Sequence, residues 1–161
     1  MVALNSKFDI LRGWPNSSAV AEDFISTSDD HKQGRWVTLS DNYTADTSLA
    51  NAASGAEKSC YLIIEGKDDY SARFAKRVTC LVGGGYVVRI PETAPVLGGA
   101  GSSDTYRCFA AGKTAASFTV GQFASVVNGL LTNKTTKADG DVVGQILAVD
   151  VNGGTVDLLV I

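Results

Sequence analysis

The hydrophobic residues in the last third of the chain form short apolar runs separated by turn sequences. Two Asn-Gly pairs, Asn128-Gly129 and Asn152-Gly153, each lie between two such runs. Asparagine and glycine both tolerate the positive φ angles of a type I′ turn, so Asn-Gly between apolar runs is the strongest short-range hairpin signal. The pattern predicts two β-hairpins, one over residues 123–132 and one over residues 142–161.

Similar runs continue towards the N terminus, where short stretches of β-branched and aromatic residues end at glycine, proline or polar turns. We interpret the three glycines at 83–85 as a hairpin turn between two of these strands. Long helical periodicity is absent, and about eight or nine short strands are typical of a sandwich or barrel. The sequence therefore predicts an all-β fold, a small β-barrel or sandwich with at most a short helix. The upstream strands are predicted over residues 35–39, 59–65, 77–82, 86–90 and 106–110.

Strict alternation of apolar and polar residues fails between positions 142 and 151. Val143, Leu147 and Val149 lie on one face of the expected strand, whereas Val142 and Ile146 lie on the other. Apolar residues on both faces indicate either a barrel wall that is covered outside or an interface in an oligomer. We favour the interface.

Residues 1–34 differ from the rest of the chain. An apolar cluster is followed by a short predicted helix over 19–25, with Ser17 or Ser18 as its N-cap, and then by a polar loop. Two interpretations are open: an N-terminal arm (1–34) attached to a β domain (35–161), or a strand and helix packed on their own domain. The cluster consists of Phe8, Ile10, Leu11 and Trp14.

The composition excludes several classes of protein. The 161 residues are 45% hydrophobic and 19% charged, with a net charge of −3. Nucleic-acid binding normally needs a basic stripe, and the densest basic group is only Arg73, Lys76 and Arg77. No run approaches the ~20 apolar residues of a membrane span. The first residues lack the pattern of a signal peptide, so we expect synthesis in the cytoplasm and no membrane or nucleic-acid partner.

The candidate chemical groups do not combine into a catalytic or metal site. His31, the only histidine, lies in a polar loop without a nucleophile motif, so we expect it at the surface. Cys60, Cys80 and Cys108 are odd in number and widely spaced, which favours reduced, buried thiols over a metal site. We predict no catalytic residue, no cofactor and no metal, and therefore a protein that is not an enzyme.

Short turn-and-strand patterns recur between residues 34 and 161, at 34–39, 60–66, 77–84, 115–121, 128–131 and 141–149. Together these segments resemble small phage head proteins of the decoration, or cement, family. This resemblance implies a small β-barrel domain of the β-tulip kind, often trimeric, that sits on the assembled shell and reinforces junctions between major capsid subunits. The family has no catalytic residues to carry over.

The functional hypothesis is a capsid decoration protein on the outer surface of a virion. Its expected partners are the major capsid protein and further copies of itself, as a homotrimer or a dimer. The alternatives are a tail or head-fibre component, a β-sandwich carbohydrate-binding module, and a small enzyme for which no residues stand out. The residues expected at the capsid or oligomer interface are Phe8, Ile10, Leu11, Trp14 and Trp36.

Overall fold

The computed structural model describes residues 8–12, 20–26, 30–39, 44–46, 60–65, 77–82, 84–95, 105–135 and 142–161. These residues form strands and one short 3-10 helix, Ala115–Ser117, so the all-β prediction is confirmed. The strands are β1 (Asp9–Arg12), β2 (Val20–Ser26), β3 (Trp36–Leu39), β4 (Thr44–Asp46), β5 (Tyr61–Glu65), β6 (Arg77–Leu81), β7 (Val87–Pro91), β8 (Thr93–Pro95), β9 (Thr105–Arg107), β10 (Phe123–Val127), β11 (Leu130–Lys134), β12 (Gly144–Asp150) and β13 (Thr155–Val160).

Six strands form an antiparallel sheet in the order β1-β7-β13-β12-β10-β11. The inner face of this sheet carries Val88, Ile146 and Leu158 into the main hydrophobic core. Phe109 and Phe118 cover that core, with ring centroids 4.8 Å apart. The sheet therefore has one face committed to packing.

Five other strands form a closed barrel in the order β2-β4-β3-β5-β6, with β6 pairing back to β2. Strand β5 is buried on both sides. Ile63 points into a small barrel core with Val37 and Val78, whereas Leu62 and Ile64 join the main core. Burial on both faces explains why this segment reads as a continuous apolar run rather than an alternating one.

The barrel and the sheet are joined by main-chain hydrogen bonds as well as by this shared core. The Trp36 N–H donates to the Gly129 carbonyl oxygen at 2.9 Å, which ties β3 to the β10–β11 turn. Tyr106 donates its hydroxyl hydrogen to the Gln33 carbonyl oxygen at 2.9 Å. The second of these contacts holds the residues just before β3 against β9.

The interpretation of residues 1–34 as an arm is wrong for the parts that the structure describes. β1 pairs with β7 in the sheet, and Phe8 is only 3% exposed in the main core. Residues 20–26 form a strand rather than the predicted helix, because β6 and β4 supply partner strands on both sides. The alternative interpretation, a segment packed on its own domain, is right for the strand and wrong for the helix.

The first predicted hairpin is confirmed in detail. Val127 and Leu130 are the last paired residues, and the two residues between them have positive φ angles, 50° at Asn128 and 77° at Gly129. This is the conformation that a type I′ turn requires.

The second hairpin is confirmed, but its turn differs from the predicted one. The last pair is Asp150 with Thr155, so four residues form the loop. The Asp150 carboxylate accepts a hydrogen bond from the Gly153 N–H at 2.8 Å, and the positive φ falls at Gly154. The hairpin therefore has a four-residue loop, held by the Asp150 side chain, instead of the two-residue turn expected from Asn152-Gly153.

The glycine triplet at 83–85 is not a hairpin turn. It lies between β6 of the barrel and β7 of the sheet, and these two strands do not pair. A Cβ at Gly84 would come within 2.7 Å of the Ile161 carbonyl carbon, so this glycine allows a close approach of two backbones. The predicted strand over 106–110 is also shorter, since β9 ends at Arg107.

Candidate interaction surface on the outer face of the sheet

A β-bulge at Leu147 explains why alternation fails in β12. Ile146 pairs with Leu158, but the next pair is Ala148 with Asp157, so Leu147 is an extra residue. Before the bulge Ile146 faces the core, and after it Val149 packs against the core instead of Ala148. A bulge shifts the facing of a strand by one residue and re-aims its side chains. Leu147 is left 42% exposed.

The edge strand β1 carries a second bulge of the same kind. Ile10 pairs with Val88 and packs against the core, whereas the next pair joins Arg12 to Val87. The residue between them, Leu11, is 40% exposed. Two bulged strands therefore each turn one leucine away from the core.

Between these two leucines, a row of charged residues crosses the outer face of the sheet. Asp9 pairs with Arg89, Arg89 with Asp157, and Asp157 with Ala148, on four adjacent strands. The Arg89 guanidinium donates two hydrogen bonds to the Asp157 carboxylate, at 2.7 and 2.8 Å. This two-point geometry fixes both side chains.

Together with the nearby Asp150, the row carries an excess of negative charge. The side-chain hydrogen bond to Asp157 raises the pKa of Arg89; burial opposes this, and the charges of Asp157, Asp9 and Asp150 raise it further. Three carboxylates therefore act on one guanidinium, which leaves an excess of two negative charges. We call the surface formed by these four charged residues with Leu11 and Leu147 the acidic face.

The acidic face combines exposed apolar side chains with charged groups. Exposed leucines bracket charged groups that are held in fixed positions, and interfaces combine an apolar part with a polar part in this way. Asp9 and Asp150 are exposed, and the Asp150 carboxylate also accepts the Gly153 N–H. A cationic, partly apolar partner fits this surface.

Of the five residues expected at an interface, the structure leaves Leu11 on the surface. Phe8 and Trp36, which is 1% exposed, are core residues, so the expectation that they contact a partner is corrected. Their large apolar side chains fill the space between the sheet and the barrel. Ile10 is half-buried against the same core, and Trp14 lies outside the described residues.

His31 is buried, so the expectation that it lies at the surface is wrong. It is 1% exposed, and its Nδ1 lies 2.7 Å from the hydroxyl oxygen of Ser26, which is buried too. The hydrogen bond connects the end of β2 to the turn before β3. In this conformation the Ser26–His31 pair is closed to a substrate.

The thiols agree with the expectation for two of the three cysteines. No disulfide joins them, and desolvation by burial raises the pKa of Cys80 and of Cys108 to about 12. Cys60 is only half-buried. Within the described residues, no group of three or more His, Cys, Asp or Glu side chains is placed to hold a metal ion. The described part of the chain also has no helix long and apolar enough to cross a membrane.

Sequence reasoning missed Arg89 and Asp157, although a signal for them exists. Each is a single charged residue inside an otherwise apolar strand, in Val87–Pro91 and in Thr155–Val160. Opposite charges at such positions suggest a cross-strand pair, but which strands meet depends on the topology. Comparison with protein-family models, with curated proteins and with solved structures finds no match for this chain.

Proposed function

We propose that the protein is a capsid decoration protein of a bacteriophage, which binds the outer surface of the head and stabilises junctions between major capsid subunits. The observation that carries the proposal is the acidic face, where two bulges expose Leu11 and Leu147 on either side of a fixed charged row. A surface of this kind suits a protein that acts by contact with other proteins.

Two further observations support the proposal. The all-β fold is compatible with the decoration family that the segments between 34 and 161 resemble. The stabilising effect of such a protein comes from buried area, at ~25 cal/mol per Å² of apolar surface, repeated at every symmetry-related site of a shell. Exposed leucines contribute to that area only when a partner covers them.

The proposal is tested by co-sedimentation of the purified protein with undecorated phage shells. We expect saturable binding, with a fixed number of copies per shell at high protein concentration. A Leu147→Asp variant is expected to bind at least tenfold more weakly, because it places a charge at a position that the shell covers in the complex. Thr135→Asp is the matched control, since it adds the same charge at an exposed site after β11 and should bind normally.

Two results would count against the proposal. Wild-type protein that stays in the supernatant at every concentration would overturn the decoration role. Binding by Leu147→Asp equal to that of wild type would show that the acidic face does not carry it. In the first case, glycan-array and activity screens would test the carbohydrate-binding and enzymatic alternatives.

A further inference from the structure

Both Asn-Gly pairs of the chain lie at hairpin turns, but the two turns hold their glycines differently. At the first, Gly129 is buried, and its carbonyl oxygen accepts the N–H of Trp36 at 2.9 Å. At the second, Asn152 is exposed in a four-residue loop, and the Gly153 N–H donates to the Asp150 carboxylate at 2.8 Å. One glycine is therefore anchored to a core residue and the other to an exposed side chain.

Asn-Gly is the dipeptide in which asparagine deamidates most readily, because glycine has no side chain to hinder the ring closure. The glycine nitrogen forms a bond to Cγ of the asparagine and gives up its proton. The Cγ–Nδ2 bond breaks, and the amide group takes a proton and leaves as ammonia. Water then opens the succinimide ring at either carbonyl, which leaves aspartate or isoaspartate. The reaction needs no enzyme, but the nitrogen must approach Cγ in the correct orientation.

We propose that Asn152 is a site of spontaneous deamidation and that the Asp150 carboxylate slows the reaction. The Asn152 side chain is exposed, so water reaches the ring that it forms. Ring closure turns the Gly153 nitrogen towards Asn152 Cγ, and this movement breaks the hydrogen bond to Asp150. Exposed loops open at a much lower cost in free energy than core elements do, so the folded protein passes through this conformation.

The turn at Asn128 protects its own asparagine. It has two residues, both with positive φ angles, and it lies directly between the paired residues Val127 and Leu130. Ring closure would turn the Asn128–Gly129 peptide out of this conformation. Because Gly129 is tied to Trp36, which is 1% exposed, the movement would disturb the hairpin and the core together.

The contact between Asp150 and Gly153 depends on the glycine itself. A Cβ at Gly153 would collide with the Asp150 carboxylate. The glycine that makes Asn152 labile is thus also the residue that lets the carboxylate hold the attacking nitrogen. The negative charge of Asp150 further opposes the loss of a proton from that nitrogen. The reaction adds a carboxylate beyond the last pair of the hairpin, Asp150 with Thr155, where the strands can keep their pairing.

Peptide mapping by mass spectrometry of the full-length protein, incubated in mildly alkaline buffer, tests the proposal. Asn152 is expected to convert to aspartate and isoaspartate at least tenfold faster than Asn128. In the urea-unfolded chain the two rates should agree to within about threefold, since the turns no longer exist.

Two variants test the role of the carboxylate. Asp150→Ala is expected to raise the rate at Asn152 at least threefold in the folded protein and to leave the rate at Asn128 unchanged. Asp9→Ala removes another exposed carboxylate outside the loop, so it is the matched control and should change neither rate. Circular dichroism confirms that each variant is folded.

Each outcome supports or overturns a stated part of the proposal. Equal rates at the two sites of the folded protein, a faster rate at Asn128, or no conversion at Asn152 would overturn the site. An Asp150→Ala variant that deamidates no faster than wild type would overturn the role of the carboxylate. Fast conversion at Asn152 that Asp150→Ala accelerates supports both. These measurements use no shells, so their result is independent of the decoration role.

Discussion

The two faces of the six-stranded sheet are built from the same strands but differ in the side chains that they carry and in how far these are buried. The inner face contributes Val88, Ile146 and Leu158 to the core, whereas the outer face holds the Arg89–Asp157 pair between two exposed leucines. The extra residue Leu147 in β12 determines that Val149, rather than Ala148, faces the core. The comparison teaches that a bulge, more than hydrophobicity alone, determines which apolar residues of this sheet pack in the core and which face solvent.

The largest expected effect is a difference in stability between variants of two neighbouring residues, one on the inner face of the sheet and one on the outer face. Ile146→Ala removes a core side chain and should lower the free energy of unfolding by about 2–5 kcal/mol. Leu147→Ala, one residue further and exposed, should change it by less than about 0.5 kcal/mol. Urea unfolding of the two variants measures both values. Equal losses would show that Leu147 packs inside and that the bulge is misplaced.

A second prediction concerns the close packing of β12 on β13. A Cβ at Gly144 would lie 2.5 Å from the Leu159 carbonyl oxygen and 2.7 Å from the Leu158 side chain. Gly144→Ala should therefore cost about 1–3 kcal/mol of stability through overpacking. Ala148→Ser, on the exposed side of the same strand, serves as control and should stay within about 0.5 kcal/mol. An unchanged unfolding midpoint for Gly144→Ala would contradict the packing described for this strand.

On the outer face, the charged pair is expected to contribute less than the core. Asp157→Asn keeps the shape but weakens both hydrogen bonds from Arg89, and Arg89 is 42% exposed at its side chain, so solvent screens much of the loss. We expect a cost of about 1–2 kcal/mol, and near zero for Asp9→Asn. Thermal unfolding at low and high salt gives both numbers. A larger loss of stability in Asp9→Asn than in Asp157→Asn would contradict the assignment of Asp157 as the main partner of Arg89.

The smallest effect at moderate pH comes from the buried thiols. The pKa of Cys80 and of Cys108 rises from 9.0 to about 12 on folding, so the unfolded chain loses these protons first. Their contribution is complete well below pH 9, begins to fall as pH approaches 9, and is lost as pH rises towards 12. Between pH 7 and pH 9 each thiol should lower stability by about 0.4 kcal/mol. Arg89 adds nothing in this window, because its pKa is raised from a value that is already higher.

The alkaline loss is measured by urea unfolding across this pH range. Cys80→Ala should flatten the pH dependence by about half, since one of the two buried thiols is removed. An unchanged slope in that variant would assign the loss to other groups.

Local sequence signals predicted the parts of the fold that depend on neighbouring residues. The Asn128-Gly129 turn and the strands at Trp36–Leu39 and Tyr61–Glu65 follow from turn chemistry and β propensity. Val20–Ser26 was mistaken for a helix because its strand partners lie far along the chain. Short segments without a visible partner leave this choice to tertiary structure.

The acidic face was largely out of reach of sequence reasoning for a related reason. Its charged row exists only because the registers of four strands align Asp9, Arg89 and Asp157. The bulge at Leu147 adds one residue to a pattern that looks, in the sequence, like failed alternation. The sequence did indicate that this strand has apolar residues on both sides, and the bulge gives the physical reason.

The most direct test of the account is cryo-electron microscopy of undecorated phage shells mixed with this protein. The account predicts added density on the outer shell surface, with Leu11 and Leu147 of each copy buried against major capsid subunits. Shells without added density, or bound copies with both leucines facing solvent, would contradict it.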